Sequence, residues 1–264
     1  MRAEASTCSV LCSRLSWLLR RPLLIHEANA IAGLTNQILA RIASRVLTGF
    51  PGTFGSAVGE EHVGNPVRPE IAGLDAPRMR MAGRSGPLRI LVVGGSQGAR
   101  ALNLELPAIF AALKQQDCAL EIRHQTGIKQ REEVEQQYRS LGLKADAEAF
   151  IDDMAQAYGW ADLVLCRSGA MTVAEVSAAG VAAVFVPFPF AVGDHQTANA
   201  NYLVEHGAAH LVPEQQLTER LPAVLSGYCA DRGSLITIAE QARSLAMPNA
   251  TDTVASICME SLDA

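Results

Sequence analysis

Residues 91–103 read LVVGGSQGARALN, an apolar run that ends in paired glycines and then turns into helix formers. A strand that breaks through a glycine turn into a helix points backbone N–H groups beyond the strand end, with the helix dipole behind them. This turn is not a Walker loop, since no Gly-Lys-Ser/Thr follows. It is not the GxGxxG dinucleotide fingerprint either. Two readings stay open from the stretch alone. Gly94, Gly95 and Gly98 let a phosphate approach the backbone while Ser96 adds a hydroxyl donor, or they merely permit a tight turn with positive φ.

The same design returns at 163–178, LVLCRSGAMTVAEVSA, where Arg167, Ser168 and Gly169 separate a strand from a helix. Here Thr172 and Glu175 have the spacing of a capping box, in which Glu175 bonds back to a free N–H. The alternative sets Glu175 in a cleft, where a carboxylate accepts from two neighbouring hydroxyls as it does from a ribose. Spacing alone favours the cap. Two anion-ready turns at strand ends of one sheet nevertheless point to a nucleotide diphosphate.

Working outward, apolar runs LRILVV, LEIRHQ, AEAF, DLVLC, AAVFVP and AAHLV alternate with helical patterns at 99–115, 130–141, 171–179 and 195–205. Pro107 is expected to start a fresh turn within the first of these. Short continuous apolar strands between helices predict a parallel sheet covered on both faces, a doubly wound α/β domain. Helices follow at 214–225, 234–245 and from about 249. The stretch GLDAPRMRMAGRSGP at 73–87 reads as a loop or linker. Upstream lie only a strand (PLLIH), a helix (34–44) and a short strand (RVLTG), too few for a sheet domain of their own.

Composition narrows the class. With 264 residues, 49% of them apolar, and a net charge of −5, the chain reads as globular, with no concentrated basic surface for nucleic acid. Six cysteines without a CxxC pair or a zinc-type spacing read as free thiols of a reducing compartment, Cys166 being buried at a strand end. No apolar stretch is long enough to span a bilayer. Leu11, Leu15, Leu18 and Leu19 share a helical stripe beside Arg14, Arg20 and Arg21, which suits a packed helix better than a membrane-surface one.

Other polar groups gather at element ends. In DHQTANAN, Gln196 and Asn199 share a helix face and suit sugar hydroxyls, which both donate and accept. Asp194 reads as an N-cap beside a surface His195. HEANAIAGLTNQ sets His26, Glu27 and Asn29 at a strand terminus, and VGNPVR supplies Arg68, a bidentate donor for a phosphate or an ordinary surface arginine.

The ordered set HEANAIAGLTN, FPGTF, VGNPVR, LVVGGSQGARALN, FIDDM, ADLVLCRSGAMTVAE, FVPFPFAVGDHQTANA and LVEHGAAHLV closely resembles the MurG family of peptidoglycan glycosyltransferases, from about residue 16 onward. The resemblance implies a GT-B architecture: a doubly wound parallel-sheet donor domain at 69–248, a remnant of the N-terminal acceptor domain at 1–68 with residues 1–15 unmatched, and a C-terminal helix at 249–264 returning to that first domain. It implies transfer of GlcNAc from UDP-GlcNAc to lipid I, giving lipid II with inversion. Charge on the leaving UDP would be met by helix-terminal N–H groups, with no metal and no other cofactor.

By positional match, Arg68 and Ser96 contact the diphosphate and nucleoside, and the Ile151 backbone reads the uracil edge. Ala170, Met171 and Thr172, with Val173 and Ala174 behind them, hold the diphosphate. Glu175 holds the ribose, which displaces the capping-box reading. Gln196, Asn199 and Asn29 bind the GlcNAc. The family's N-terminal glycine-rich loop, with its His, has no counterpart here. The expectation is therefore a truncated chain that keeps donor binding and has little activity alone, with Glu27 left as the candidate catalytic carboxylate. Implied partners are UDP-GlcNAc, lipid I, other cell-wall synthesis proteins and the cytoplasmic face of a bacterial inner membrane, bound peripherally. Implied processes are cell-wall biogenesis, cell shape and cell division. A donor-binding subunit needing a separate acceptor subunit, and a UDP-GlcNAc 2-epimerase, stand as alternatives.

Overall fold

The alternation from residue 88 onward folds as six parallel strands in a computed structural model that describes residues 21–95 and 99–261. The stripe at 11–19 and the residues Ser96 and Gly98 lie outside the described residues. The chain divides into two compact units, one of residues up to Val67 together with those from Met247, the other Arg68–Ala246.

The smaller unit holds β1 (Leu24–Glu27), α1 (Leu34–Leu39), β2 (Arg45–Thr48) and β3 (Glu60–His62). Its strands form a parallel sheet in the order β1-β2-β3. The helix expected at 34–44 stops at Leu39, and β3 carried no apolar pattern by which to find it. A C-terminal helix, Ala250–Glu260, belongs to the same unit, with Ile257 packed on Leu47 and Val63. Gly64 has φ +83°, and a Cβ there would stand 2.4 Å from the Met247 Cβ, so only glycine fits.

In the larger unit, Arg68 leads into α2 (Pro69–Ala72) and α3 (Pro77–Met81). Then come β4 (Leu88–Val93), α4 (Arg100–Gln115), β5 (Leu120–Gln125), α5 (Arg131–Ser140), β6 (Ala145–Glu148) and α6 (Met154–Trp160). They are followed by β7 (Leu163–Cys166), α7 (Ala170–Ala179), β8 (Ala182–Phe185), α8 (His195–Val204), β9 (His210–Leu211), α9 (Leu217–Ala230) and α10 (Gly233–Ser244). The sheet order is β6-β5-β4-β7-β8-β9, the doubly wound arrangement. Leu88, Ile90, Val92, Leu163, Leu165 and Val184 turn one face toward Leu102, Leu106, Phe110 and Tyr138 in a continuous buried core. Such alternation on a sheet covered by helices is what fills the core.

Three sequence readings need correction. Pro107 does not restart the helix, since α4 runs unbroken through it with Pro107 buried. The core face of α4 outweighs the one hydrogen bond a proline removes. The stretch at 73–87 is not a loose linker, because three arginines clamp it by donating to carbonyl ends. Arg80 reaches Ala179 and Gly180 at 2.6 Å each and Tyr158 at 3.2 Å. Arg84 bonds the Gly159 and Trp160 carbonyls and the Asp162 carboxylate. Arg243 joins the Ala72 and Leu74 carbonyls to that of Ala178. Cationic donors at helix C-termini satisfy orphan carbonyls and oppose the dipole. Burial, with Arg84 and Arg243 nearby, lowers the Arg80 pKa to about 10.

The cysteines give the third correction. Cys118 and Cys229, 111 residues apart with Cα atoms 5.8 Å from each other, are joined as a disulfide rather than free. Cys166 is free and buried, as expected, and burial pushes its thiol far from ionisation. Oxidised protein should lose about 2–4 kcal/mol of stability on Cys118→Ser. Denaturant melts with and without a thiol reductant check this, because reductant should erase the difference.

His124 is fully buried, with Nδ1 2.8 Å from the Tyr138 hydroxyl, and burial lowers its pKa to about 3. The unfolded chain binds a proton near pH 6.5 that the folded chain refuses. The His124 contribution is therefore full above that pH and declines below it, by up to about 1.4 kcal/mol per unit. Urea melts of His124→Gln at pH 7 and about pH 5 should show a flatter loss than the parent.

Candidate active site

The larger unit brings its polar residues to the carboxyl edge of the sheet. β4 and β7 are neighbours, with Val93 paired to Cys166, so the glycine turn after one and the Arg167–Gly169 turn after the other leave from adjacent strand ends. Gly95 has φ +76°, the conformation its turn requires. From this point the chain travels outward in both directions, which makes it the switch point of an open α/β sheet.

At α7 the capping box is absent. Gly169 is the N-cap and no side chain caps it. Thr172 lies inside the helix, and the first intrahelical bond is that of the Val173 N–H to the Gly169 carbonyl. The N–H groups of Ala170, Met171 and Thr172 thus stand at the helix start without helical partners, the arrangement that receives an anion. One turn on, Glu175 accepts from Arg68 Nη2 at 3.1 Å through Oε1 and from the Tyr158 hydroxyl at 3.2 Å through Oε2. Arg68 is half exposed, Glu175 mostly covered and Tyr158 fully buried. Tyr158 was missed by the sequence reading; an aromatic in a short helix after FIDDM looks like core. Val173 is buried behind the first turn.

α8 starts against the same turn. Asn199 is buried and its Nδ2 donates to the Ser168 carbonyl at 3.2 Å, while Gln196 Oε1 accepts the Phe188 N–H at 2.8 Å. The two amides share a face as their spacing predicts, and both hold loops in place. Asp194 does precede α8, but its side chain makes no cap bond and its backbone is left-handed, φ 53°. Ile151 is buried in the loop between β6 and α6.

In the smaller unit, Glu27 is buried and accepts four hydrogen bonds. These come from the Asn29 N–H (2.9 Å), the Asn29 amide (3.0 Å), the Gly33 N–H (3.1 Å) and the Asn36 amide (2.8 Å). Burial alone would raise its pKa, yet these donors outweigh burial and hold the carboxyl below the ordinary range. A carboxylate so engaged makes a weak proton acceptor and a strong organiser of the 28–36 loop. His26 is likewise in use, with Nε2 2.9 Å from the Gly64 carbonyl. Among the described residues, no group of three or more His, Cys, Asp or Glu could hold a metal, and no helix is long and apolar enough to cross a membrane.

The sequence of residues 89–254 matches the glycosyltransferase family 28 C-terminal domain. The whole chain is 51% identical over 246 residues to a UDP-N-acetylglucosamine–N-acetylmuramyl-(pentapeptide) pyrophosphoryl-undecaprenol N-acetylglucosamine transferase of Marinobacter nauticus, covering 93% of this chain and 68% of that one. The chain belongs to the MurG family of glycosyltransferases. The Xanthomonas axonopodis relative of the same name is 54% identical, with 92% of this chain and 56% of that one covered. The structure superposes on Acinetobacter baumannii MurG with a TM-score of 0.84 and 42% identity, over 94% of this chain and 69% of that one. This chain thus spans from just over half to about two thirds of the length of these MurG relatives. The match carries the GT-B architecture read from the sequence.

Glu27→Gln should destabilise the protein by about 1–3 kcal/mol, because the new amide turns donors toward donors in a buried site. Thermal melts should show the loss. An unchanged melting temperature would mean the carboxylate does not organise the loop.

Proposed function

We propose that this chain binds UDP-GlcNAc on its larger unit and serves the transfer of GlcNAc to lipid I in peptidoglycan synthesis. The observation that carries the reading is α7 itself, whose first three N–H groups have no helical partner and whose Glu175 is bracketed by Arg68 and Tyr158. The diphosphate rests on the Ala170, Met171 and Thr172 N–H groups, and Glu175 turns its oxygens from Arg68 to the ribose hydroxyls. Arg68, released, meets the phosphates or nucleoside, the Ile151 backbone reads the uracil edge, and Gln196 and Asn199 face the hexose.

In the reaction, the acceptor's muramyl C4 hydroxyl attacks the anomeric carbon of GlcNAc from the side opposite UDP. The C1–O bond to the diphosphate breaks as the new glycosidic bond forms, inverting that centre. Negative charge grows on the departing phosphate oxygen, where prealigned N–H dipoles favour the transition state over the ground state. No metal or other cofactor is part of this reading.

The lipid acceptor implies a peripheral membrane site on the cytoplasmic face. Support comes from the outer side of α1 and the turn after it, where Leu34, Ile38 and Ile42 are 74%, 57% and 51% exposed at helical spacing beside Arg41.

Calorimetry should detect UDP-GlcNAc binding that is unaffected by a chelator. Glu175→Ala should weaken it about tenfold or more, the worth of hydrogen bonds to a charged group. Absence of binding heat would overturn the reading. Anionic vesicles should sediment the protein, and Leu34→Ser with Ile38→Ser should abolish that without altering nucleotide affinity.

A further inference from the structure

Beside Gln196 the larger unit opens into a cavity of about 620 Å³, lined by Arg100, Leu104, Glu105, Arg167, Phe188 and Gln196. That volume falls within the range of small-ligand sites and exceeds what one hexose fills. One wall is prebuilt. Arg167 is paired with Glu214, donates to the Val186 and Pro187 carbonyls at 3.0 and 3.1 Å, and stacks on Phe188 with its guanidinium carbon 5.4 Å from the ring centre. The Phe188 N–H is held in turn by Gln196, which joins the cavity to the hexose end of the donor reading.

The opposite wall, on α4, is different. Neither the Arg100 nor the Glu105 side chain makes a hydrogen bond or ion pair with any described residue, and exposed Leu104 lies between them in sequence. An unpaired cation and an unpaired carboxylate, with apolar surface from Leu104 and Phe188, match a ligand bearing separated charges of both signs along a partly apolar chain. A sugar alone has no charges to offer them.

We propose that this cavity receives the peptide arm of the acceptor, with a peptide carboxylate on Arg100. This rests on the function proposed above, in which the nucleotide occupies the α7 end and the hexose reaches Gln196, leaving the cavity beyond the reacting sugar. The acceptor named for the relatives carries a pentapeptide.

The test titrates the full chain, saturated with UDP, with soluble N-acetylmuramyl-pentapeptide and separately with N-acetylmuramic acid. The peptide form should bind at least tenfold more tightly. Arg100→Gln should remove most of that preference, Arg100→Lys should keep part of it, and Leu104→Trp should block the peptide form by filling the cavity. Affinity for UDP-GlcNAc should stay within twofold in all three variants. Equal affinity for the two ligands, or a preference that survives both Arg100→Gln and Leu104→Trp, overturns the proposal while leaving nucleotide binding intact. Loss of UDP-GlcNAc binding by the parent chain would instead overturn the function on which it rests.

Discussion

The pairing of β4 with β7 is the constraint on which the rest depends. Because Val93 lies opposite Cys166 in a parallel register, the two strands end together. Because β5 and β8 flank them on opposite sides, the connections that follow diverge. No other position in this sheet leaves two adjacent strand ends whose helices depart from each other, and a crevice forms there. The partnerless N–H groups of α7 open at that edge, and Glu175 and the cavity beside Gln196 belong to the turns and helices that leave it.

A site of aligned dipoles works only when the dipoles do not reorganise, so the supports of α7 matter as much as its first turn. Its far end is held by Arg80 on the Ala179 and Gly180 carbonyls and by Arg243 on that of Ala178. Its near end is tied through the Ser168 carbonyl to Asn199, and its middle through Glu175 to Tyr158. Arginines suit this work because one planar guanidinium can satisfy several carbonyls at once. The segment carrying Arg80 and Arg84 connects Arg68 to the sheet, so the clamps that steady α7 also fix the position of Arg68.

Legibility followed the range of the interactions. The strands of the larger sheet and most of its helices were readable because apolar periodicity reports local burial, and β4 and β5 were found to the residue. The same local logic misread Thr172 and Glu175 as a capping box, since the spacing is right but the N-cap is Gly169, three residues before Thr172. Tyr158 was invisible because its role requires α6 to lie against α7. The stretch at 73–87 looked like a linker because its order comes from carbonyls 75 or more residues away. The anchoring of Glu27 was not legible, because spacing cannot count the donors that the following loop folds back onto it.

The sequence by itself determined the parallel α/β class, the two glycine-bearing turns and, through its ordered motifs, the family. These are properties of periodicity, of backbone conformations open only to glycine, and of residue order. Tertiary structure alone decided which charges meet, namely Arg68 with Glu175, the three arginines with helix ends, and Glu27 with its own loop. It also decided which are left unpaired among the described residues, as at the Arg100 and Glu105 side chains. Charged groups a few ångströms apart act by distance, and distance between residues 107 positions apart, as Arg68 and Glu175 are, is set only when the sheet has closed.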